Sequence, residues 1–479
     1  MTVTDAAAPR PDRAPTRVLV RFGFGDFAQA VLTGLITSYV MVVFIPQADS
    51  SLPVLLPAAA LTFALVRGIG SGLDAFLNPL VASWSDRVRA GGGRRTTMLR
   101  WAALPWAATT ALVVFTPLDH SSAWNTVWVA VFLSLYYITG TFFLVPYFAL
   151  VAELVTEVRR RVWFYTINTL FFVIGNAIVF VTPTLQSALV GAGFSELAAW
   201  RLSFALFGVI GFLAAVIPAF TIDERRYVGD AVTAAHTPLL ASFAAAFAYR
   251  SFRVLVSATF VMQVAFSLFN ATLLYYITML IGQPQAFSTI VLVLAIVVGV
   301  SAYPLVNWLA RRVGKRPLMV AACVAYVVIY FAIYLYRYVL DGLVPGALFA
   351  VLIGVLIGVP ISITNIIPPS AFADLAQYDS LRTGKNRTGM FVAARSFVGA
   401  LSQTAVLLVV PGLISLGSTN GKATVDGVQL TALVSGIFIA AALALFAFYD
   451  DREIIAAIHA HNDEADAEAA ALAAPAPLV

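Results

Sequence analysis

The chain has 479 residues, of which 61% are hydrophobic and only 11% are charged. Soluble domains carry about 25% charged residues, so this composition excludes an ordinary soluble enzyme and favours a polytopic membrane protein. The formal net charge is +5. The charge comes from basic residues concentrated in short connections between apolar segments, a distribution that determines how a membrane protein is oriented in the bilayer. It does not indicate nucleic-acid binding.

Twelve apolar segments follow one another along the chain, each near or above the roughly 20 residues that a helix needs to cross a bilayer. Several are longer, so we expect them to tilt or to extend beyond the bilayer. Lipid excludes open sheets, and the predicted fold is therefore all-α. The predicted spans are 18–44, 53–85, 96–116, 123–155, 162–190, 199–220, 251–281, 285–309, 316–338, 344–377, 387–415 and 428–450.

The longest hydrophilic connection divides these spans into two groups of six. Short basic turns that contain glycine follow the second and the eighth span, which is typical of transporters built from two repeated bundles. The terminal tails are rich in alanine and lack long apolar runs, and the first is expected to be disordered. The predicted organisation is a tail at 1–16, bundles at 17–220 and 251–450, a central cytoplasmic loop at 221–250 and a tail at 451–479.

Basic residues also predict the orientation of the chain. Placing both termini in the cytoplasm puts most of the 29 Lys and Arg residues in cytoplasmic loops and tails. We therefore expect a multi-pass protein of the cell membrane, such as a bacterial inner membrane, that works as a monomer in the lipid bilayer. The single cysteine, Cys323, excludes an intramolecular disulfide, and the four histidines fall in loops or the tail. No metal site or cofactor is expected.

Asp74 is a charged residue deep inside the second apolar segment. A charge at such depth is costly, and it usually faces a cavity, a partner or an ion. Only one other acid, Asp26, falls well inside a predicted span. A buried carboxylate in a polytopic protein points first to ion-coupled transport, and a structural ion pair is the alternative.

Three stretches of sequence carry a resemblance to a known family. They are DAFLNP at 74–79, VPYFALVAEL at 145–154 and ADLAQYDSLRTGKNRTGMF at 373–391, with FGFG at 22–25 as a weaker match. They resemble the glycoside–pentoside–hexuronide:cation symporters, which include the melibiose permeases and belong to the major facilitator superfamily. The resemblance extends over both halves. It implies the major facilitator fold of two six-helix bundles and secondary transport by alternating access.

The resemblance also implies a cation site in the second and fourth spans. The matching positions are Asp74, Asn78 and Thr141, so an amide replaces one of the two carboxylates of the family pattern. The coupling ion is expected to be H⁺ or Na⁺. The family's charged sugar ligands match positions that carry no charge here, which are Ala30, Leu144, Asn168 and Ala400. A melibiose-like mode of sugar recognition is therefore not expected.

Further charged residues form a layer in the cytoplasmic half of the predicted bundle. At 1.5 Å per residue, Asp74, Asp26 and Arg395 all lie roughly 12–16 Å from the cytoplasmic ends of their spans. Arg395 could therefore pair with either acid across the two halves, as a gate that opens or as a permanent salt bridge. Arg67 lies two helical turns from Asp74 and is a further candidate charge.

The expected function is cation-coupled symport of a small organic solute. An uncoupled or proton-coupled transporter or exporter of an amphipathic or lysolipid-like molecule is the alternative. A membrane-embedded enzyme would need a cluster of acids and histidines, an assembly protein would need large loops, and the sequence has neither feature. The candidate residues of the substrate cavity are Asn168, Gln263, Asn270, Tyr275, Tyr276 and Asn365.

Overall fold

The computed structural model describes residues 14–87, 94–155, 158–227, 247, 249–383, 388–418, 422–449, 454 and 456. Regular structure in these residues is helical, apart from one isolated bridge between Gln47 and Ala423. The all-α prediction is confirmed. Ten helical segments of the described residues are long and apolar enough to cross a membrane.

The first half of the chain begins with three nearly continuous helices and contains two further interruptions. The expected fifth span is divided near Phe180, and a short helix follows the sixth. The helices are α1 (Thr16–Phe22), α2 (Phe24–Ser38), α3 (Val40–Phe44), α4 (Ala59–Arg87), α5 (Arg94–Leu112), α6 (Ala123–Leu154), α7 (Val158–Val179), α8 (Thr182–Gly191), α9 (Glu196–Thr221) and α10 (Glu224–Tyr227).

The described residues of the second half form six long helices, two of which end in a turn of π-helix. These π turns are Tyr276–Leu280 and Tyr336–Leu340. The helices are α11 (Arg250–Tyr275), α12 (Ala286–Val313), α13 (Lys315–Leu335), α14 (Gly346–Thr383), α15 (Thr388–Ile414) and α16 (Val425–Ala447).

Two expected spans are not among the ten. The third corresponds to α5, which begins with two arginines, and the eleventh to α15, whose apolar stretch is Leu401–Ile414. The count of twelve spans therefore stays a prediction. The tails at 1–13 and 457–479 and most of the central loop, 228–246, lie outside the described residues. Their predicted roles, the domain limits and the cytoplasmic position of the termini also stay predictions.

Large apolar side chains lie on the outside of the helices as well as in the core. On α4, Leu65 and Ile69 are more than half exposed, whereas Phe63 and Val66 of the same helix are buried. On α9, Leu213 and Phe220 are exposed in the same way. A soluble monomer rarely exposes continuous apolar surface of this extent, so these faces are the lipid-contacting surface of a multi-pass membrane protein.

The helical bundle has two ends, a basic end and a distal end. The basic end contains the first residues of α1, α5, α11 and α13 and the last residues of α4, α9 and α14. The distal end contains the connections 45–58, 113–122 and 281–285 and the described residues 415–418 and 422–424. The two halves of the chain meet where α4 packs against α15 and where α7 and α8 pack against α12.

Candidate functional site

The carboxylate of Asp74 faces α6 from within α4. The Thr141 hydroxyl donates a hydrogen bond of 2.5 Å to Oδ1 of Asp74 and also lies 2.8 Å from the carbonyl oxygen of Tyr137. The Asn78 side chain, one turn further along α4, forms a second hydrogen bond with the carboxylate. Gly70 permits the close approach of the two helices, because a Cβ there would lie 2.5 Å from the Tyr137 ring. The structure thus brings together the three residues of the expected cation site.

This cluster offers one negative charge and neutral oxygen atoms. Carboxylate, hydroxyl and amide oxygens are the ligand types that hard cations prefer. A single carboxylate balances one monovalent cation or accepts one proton. Within the described residues there is no group of three or more His, Cys, Asp or Glu side chains that could hold a metal ion.

The second buried carboxylate, Asp26, is held by a different residue of α6. The Tyr147 hydroxyl lies 2.7 Å from Oδ2 of Asp26 and 3.0 Å from the carbonyl oxygen of Phe22. The Tyr147 ring also stacks on Phe22, with 4.4 Å between the ring centroids. Gly25 is required here, since a Cβ would lie 2.1 Å from the Tyr147 ring. Tyr147 is a residue whose role the sequence did not indicate, although an acid beside a glycine on α2 was a possible signal.

Arg67 is an isolated cation in the distal half of α4. The side chain is 1% exposed, and its Nε and Nη2 atoms make no hydrogen bond with any described residue. The guanidinium lies 5.7 Å from the centroid of the Phe63 ring, which provides a cation–π contact. No salt bridge in the described residues joins it to Asp74. The distance along the helix, about 10 Å for seven residues, accounts for that separation.

The proposed partner across the halves, Arg395, lies within α15, but its side chain falls outside the described residues, as does that of Ala400. The expected pairing of Arg395 with Asp26 or Asp74 therefore stays a prediction.

A cavity of about 580 Å³ lies between the two halves. Its walls come from α7 and from α11, α12 and α14, and Phe180 lies at its distal side. None of the described residues that line it is charged. The lining residues are Thr169, Phe172, Val173, Asn176, Phe180, Phe266, Asn270, Leu292, Ala295, Ile296, Gly299, Val300, Tyr303, Ile361, Asn365 and Ile366.

Two of the six expected cavity residues, Asn270 and Asn365, line this cavity, whereas Gln263 is half-buried and is absent from its lining. Asn168 is 5% exposed, also outside the lining, and its Oδ1 makes no hydrogen bond with a described residue. Tyr275 and Tyr276 point elsewhere, to Ile45 and Thr431. The reason is that both tyrosines lie near the distal end of α11, beyond the cavity. The residues that sequence reasoning missed are Asn176, Tyr303 and Thr169.

Among the described residues, the hydrogen bonds between the two halves lie near the distal end of the bundle. The Tyr275 hydroxyl donates to the carbonyl oxygen of Ile45 at 2.7 Å. Lys422 donates to the carbonyl oxygen of Ser50 at 3.0 Å. The Thr289 hydroxyl donates to the carbonyl oxygen of Phe180 at 2.7 Å. Because Phe180 also lines the cavity, this last contact joins the two halves at the distal side of the cavity.

A polytopic helical protein with a cavity between its two halves and a carboxylate within a membrane span has the features of a membrane transporter. Comparison with known families identifies the family. The family model of MFS/sugar transport proteins (MFS_2) matches residues 22–450, and the chain belongs to this family. The resemblance found in the sequence is confirmed, and so is the expectation that the protein is a transporter and not an enzyme. No curated protein matches the chain.

Solved structures of several transporters share the fold. The nucleoside transporter NupG aligns with a TM-score of 0.61 at 13% identity and covers 90% of this chain and 100% of its own. The D-xylose-proton symporter aligns with a TM-score of 0.62 at 14% identity over 91% and 97% of the two chains. A bacterial homolog of the human lysosomal transporter Spinster aligns with a TM-score of 0.61 at 15% identity over 90% and 96%. These similarities concern the fold alone.

Proposed function

We propose that the protein is a secondary active transporter that couples the movement of H⁺ or Na⁺ to symport of a small organic solute by alternating access. The observation that carries this proposal is the contact of Asp74 with Thr141 and Asn78. A carboxylate in a membrane span is costly when it is charged and alone, and a bound proton or Na⁺ removes that cost. Symport follows when the helices rearrange only with Asp74 neutralised.

The position of the cluster supports coupling to the two halves. Asp74 lies on α4, and the same helix packs against α15 of the second half at Gly68, where a Cβ would lie 2.7 Å from the Leu408 side chain. A change in the position of α4 would therefore alter the contacts between the two halves. With the basic end in the cytoplasm, the distal closure corresponds to a conformation that is shut towards the outside.

The mode of solute recognition proposed here differs from that of the melibiose permeases. The matching positions Ala30, Leu144 and Asn168 carry no charged group, and the cavity lies on other helices. Relatives such as the D-xylose-proton symporter are named for sugars, and a nucleoside transporter shares the fold equally well. Sugar transport is thus one possibility for this family, and a small polar solute with an apolar face is an equally good one.

The apolar walls of the cavity favour a second candidate function. Phenylalanine, isoleucine and valine side chains form most of its lining. Such a surface suits the apolar part of an amphipathic molecule, and an uncoupled or proton-coupled transporter or exporter of such a molecule is the alternative. The two candidates differ in whether cation binding at Asp74 is needed for movement of the solute.

Cation binding by the purified protein tests the first proposal without knowledge of the substrate. Calorimetric titration with NaCl in choline-balanced buffer, and proton release measured on the same sample, report Na⁺ and H⁺ binding. Asp74→Asn should abolish both signals. Thr141→Val removes one hydroxyl and keeps the shape, and it should weaken Na⁺ binding about 10-fold, since a bond to a charged group contributes about 1.5 kcal/mol. The same change should strengthen H⁺ binding, because it removes the hydroxyl donor that stabilises the ionised carboxylate. Thr141→Ser should restore both values.

Asp26→Asn is the matched control, because it neutralises another carboxylate that is buried within a described span and hydrogen-bonded to a hydroxyl of α6. We expect it to retain the Na⁺ or H⁺ signal. Cation binding that persists in Asp74→Asn and disappears in Asp26→Asn would place the cation site at Asp26 and contradict the proposal.

A further inference from the structure

A smaller cavity of about 440 Å³ lies on the outer surface of the first half, near the basic end. Its lining comes from α4, α5 and α6. Both α4 and α5 pack along α6 and contact each other only slightly, so they leave a groove between them. Thr139 and Phe142 of α6 form its floor, and Trp84 and Trp101 lie on its two walls. We call this feature the α4–α5 groove.

The α4–α5 groove opens towards the lipid. Trp101 is 80% exposed, and Leu104 on the same helix is more than half exposed. On the α4 side, Phe76 and Leu80 are more than half exposed as well. These side chains belong to the lipid-contacting surface of the bundle. Because hydrocarbon borders an opening in such a surface, an apolar chain is the occupant that fits it.

The direction of the groove matches that of a lipid chain. Thr97, Trp101 and Pro105 line it at intervals of four residues, which forms one stripe along α5. At 1.5 Å per residue the stripe is about 12 Å long. It starts three residues after Arg94, the first residue of α5, and runs towards the middle of the bundle. A chain in the groove would therefore extend from the membrane interface into the hydrocarbon.

The two tryptophans offer polar groups at the interface. Tryptophan is enriched there because its ring is apolar and its indole N–H is a donor. Trp84 packs edge-on against Phe142, with 5.6 Å between the ring centroids, and remains half exposed. Neither the Trp84 nor the Trp101 indole N–H donates to a described residue, whereas that of Trp128 donates to the carbonyl oxygen of Leu112 at 2.8 Å. Both free donors can bind the ester or phosphate oxygens of a lipid.

The chain beside the basic end of the groove is positively charged. Residues 87–105, which follow Asp86, contain five arginines and no acid. Arg87 is the last residue of α4 and Arg94 is the first of α5, so positive charge flanks the groove on both helices. The first N–H groups of α5 already bind Glu224, so the helix terminus is not itself the anion site. The arginine charges favour a negatively charged headgroup.

We infer that the α4–α5 groove binds an anionic phospholipid. One acyl chain lies along the stripe of α5, over Thr139 and Phe142. The glycerol oxygens accept hydrogen bonds from Trp84 and Trp101, and the headgroup lies beside the arginines of 87–94. This site goes beyond the proposed function, since it depends neither on coupling at Asp74 nor on the identity of the solute.

Quenching of tryptophan fluorescence by brominated lipids tests this site in the full-length protein. Phosphatidylcholine nanodiscs contain the same fraction of either brominated phosphatidylglycerol or brominated phosphatidylcholine. The contribution of Trp101 is the difference between a protein that has it and its Trp101→Phe counterpart. Phosphatidylglycerol should associate at Trp101 at least about 5-fold more tightly than phosphatidylcholine, since each arginine near a membrane surface contributes about that factor. At Trp124, which is exposed at the distal end of α6, the two lipids should agree within about twofold.

Two kinds of variant separate the headgroup from the chain. Arg94→Gln should lower the preference for phosphatidylglycerol at Trp101 about 5-fold. Arg312→Gln removes the same charge near the basic end of α12, beside Trp308, and should leave the preference within about twofold of wild type. Thr139→Phe fills the floor of the groove and should reduce the preference to the value at Trp124. Attraction of lipid by surface charge alone would be unchanged by Thr139→Phe, and the Trp124 reading in each variant checks its fold.

Four outcomes would overturn the assignment. The first is equal association of the two lipids at Trp101. The second is an equal loss of preference in Arg94→Gln and Arg312→Gln. The third is a preference that survives Thr139→Phe, which would mean that charge attracts the lipid without a chain in the groove. The fourth is quenching of Trp101 by both lipids that is much weaker than that of Trp124, which would mean that protein, such as a second copy of the chain, covers the groove.

Discussion

Removal of the Tyr275 hydroxyl should open the distal end of the protein. In the structure this hydroxyl donates to the carbonyl oxygen of Ile45, and it joins the second half of the chain to the first. Both residues are 0% exposed. Tyr275→Phe keeps the ring and its packing but leaves the carbonyl oxygen without its donor in the closed conformation. In the open conformation water can replace the lost donor.

The size of the effect follows from this difference. A buried carbonyl oxygen that loses its partner costs about 1–3 kcal/mol. A cost of 1.4 kcal/mol corresponds to about a 10-fold change in an equilibrium constant, so the ratio of closed to open protein should fall roughly 5- to 150-fold. The neighbouring Tyr276 offers a matched control. Its hydroxyl lies 2.8 Å from Oγ1 of Thr431 in the same half, so Tyr276→Phe destabilises the second half without separating the halves.

A cysteine reporter at Ser288 measures the opening. Ser288 is 1% exposed and lines a small pocket beside Tyr39, just beyond the distal side of the cavity. The chain has a single natural cysteine, Cys323, which is buried and can be changed to alanine. Membrane-impermeant maleimide added from the distal side should label Ser288→Cys roughly 5- to 150-fold faster with Tyr275→Phe, and about equally fast with Tyr276→Phe. Equal labelling in both variants would refute the role given to Tyr275.

Three further predictions concern stability, each read as a melting temperature of the purified protein. Gly25→Ala places a methyl group 2.1 Å from the Tyr147 ring and should lower the free energy of unfolding by about 1–3 kcal/mol. Gly72→Ala, where a Cβ would have no atom within 4 Å, should lower it by less than about 0.5 kcal/mol. Equal values for the two variants would contradict the packing. Arg67→Met removes a buried guanidinium with two unbonded nitrogens, so it should be neutral or stabilising by up to about 3 kcal/mol, and strong destabilisation would indicate a missed partner. Asn125→Leu should cost about 2–3 kcal/mol, because it deprives three loop carbonyl oxygens of donors; a neutral result would contradict that role.

The sequence predicted the membrane class and the helical fold, because these depend on local quantities. Apolar run length determines where helices cross a bilayer. The spacing of Asp74 and Asn78 places both on one face of a helix. The family resemblance supplied Thr141, which lies 67 residues further along the chain, and no periodicity in a single sequence would have paired the two.

The cavity was only partly predictable, because its lining depends on how helices of both halves rotate and pack. Asn270 and Tyr275 lie in the same span and were equally plausible as cavity residues. Asn270 lines the cavity, whereas the Tyr275 hydroxyl contacts Ile45 at the distal end. A difference of five residues along the same helix, about 140° of rotation, separates the two roles. Asn176 was missed because a single amide in an apolar span is also a common packing residue.

Uptake into proteoliposomes tests the central claim, coupling at Asp74, most directly. With a solute that raises the melting temperature of the purified protein, wild-type protein should accumulate that solute against its gradient when an inward Na⁺ or H⁺ gradient is imposed. Asp74→Asn should abolish accumulation and retain exchange of labelled for unlabelled solute across equal concentrations. Accumulation by Asp74→Asn at the wild-type level would contradict the account.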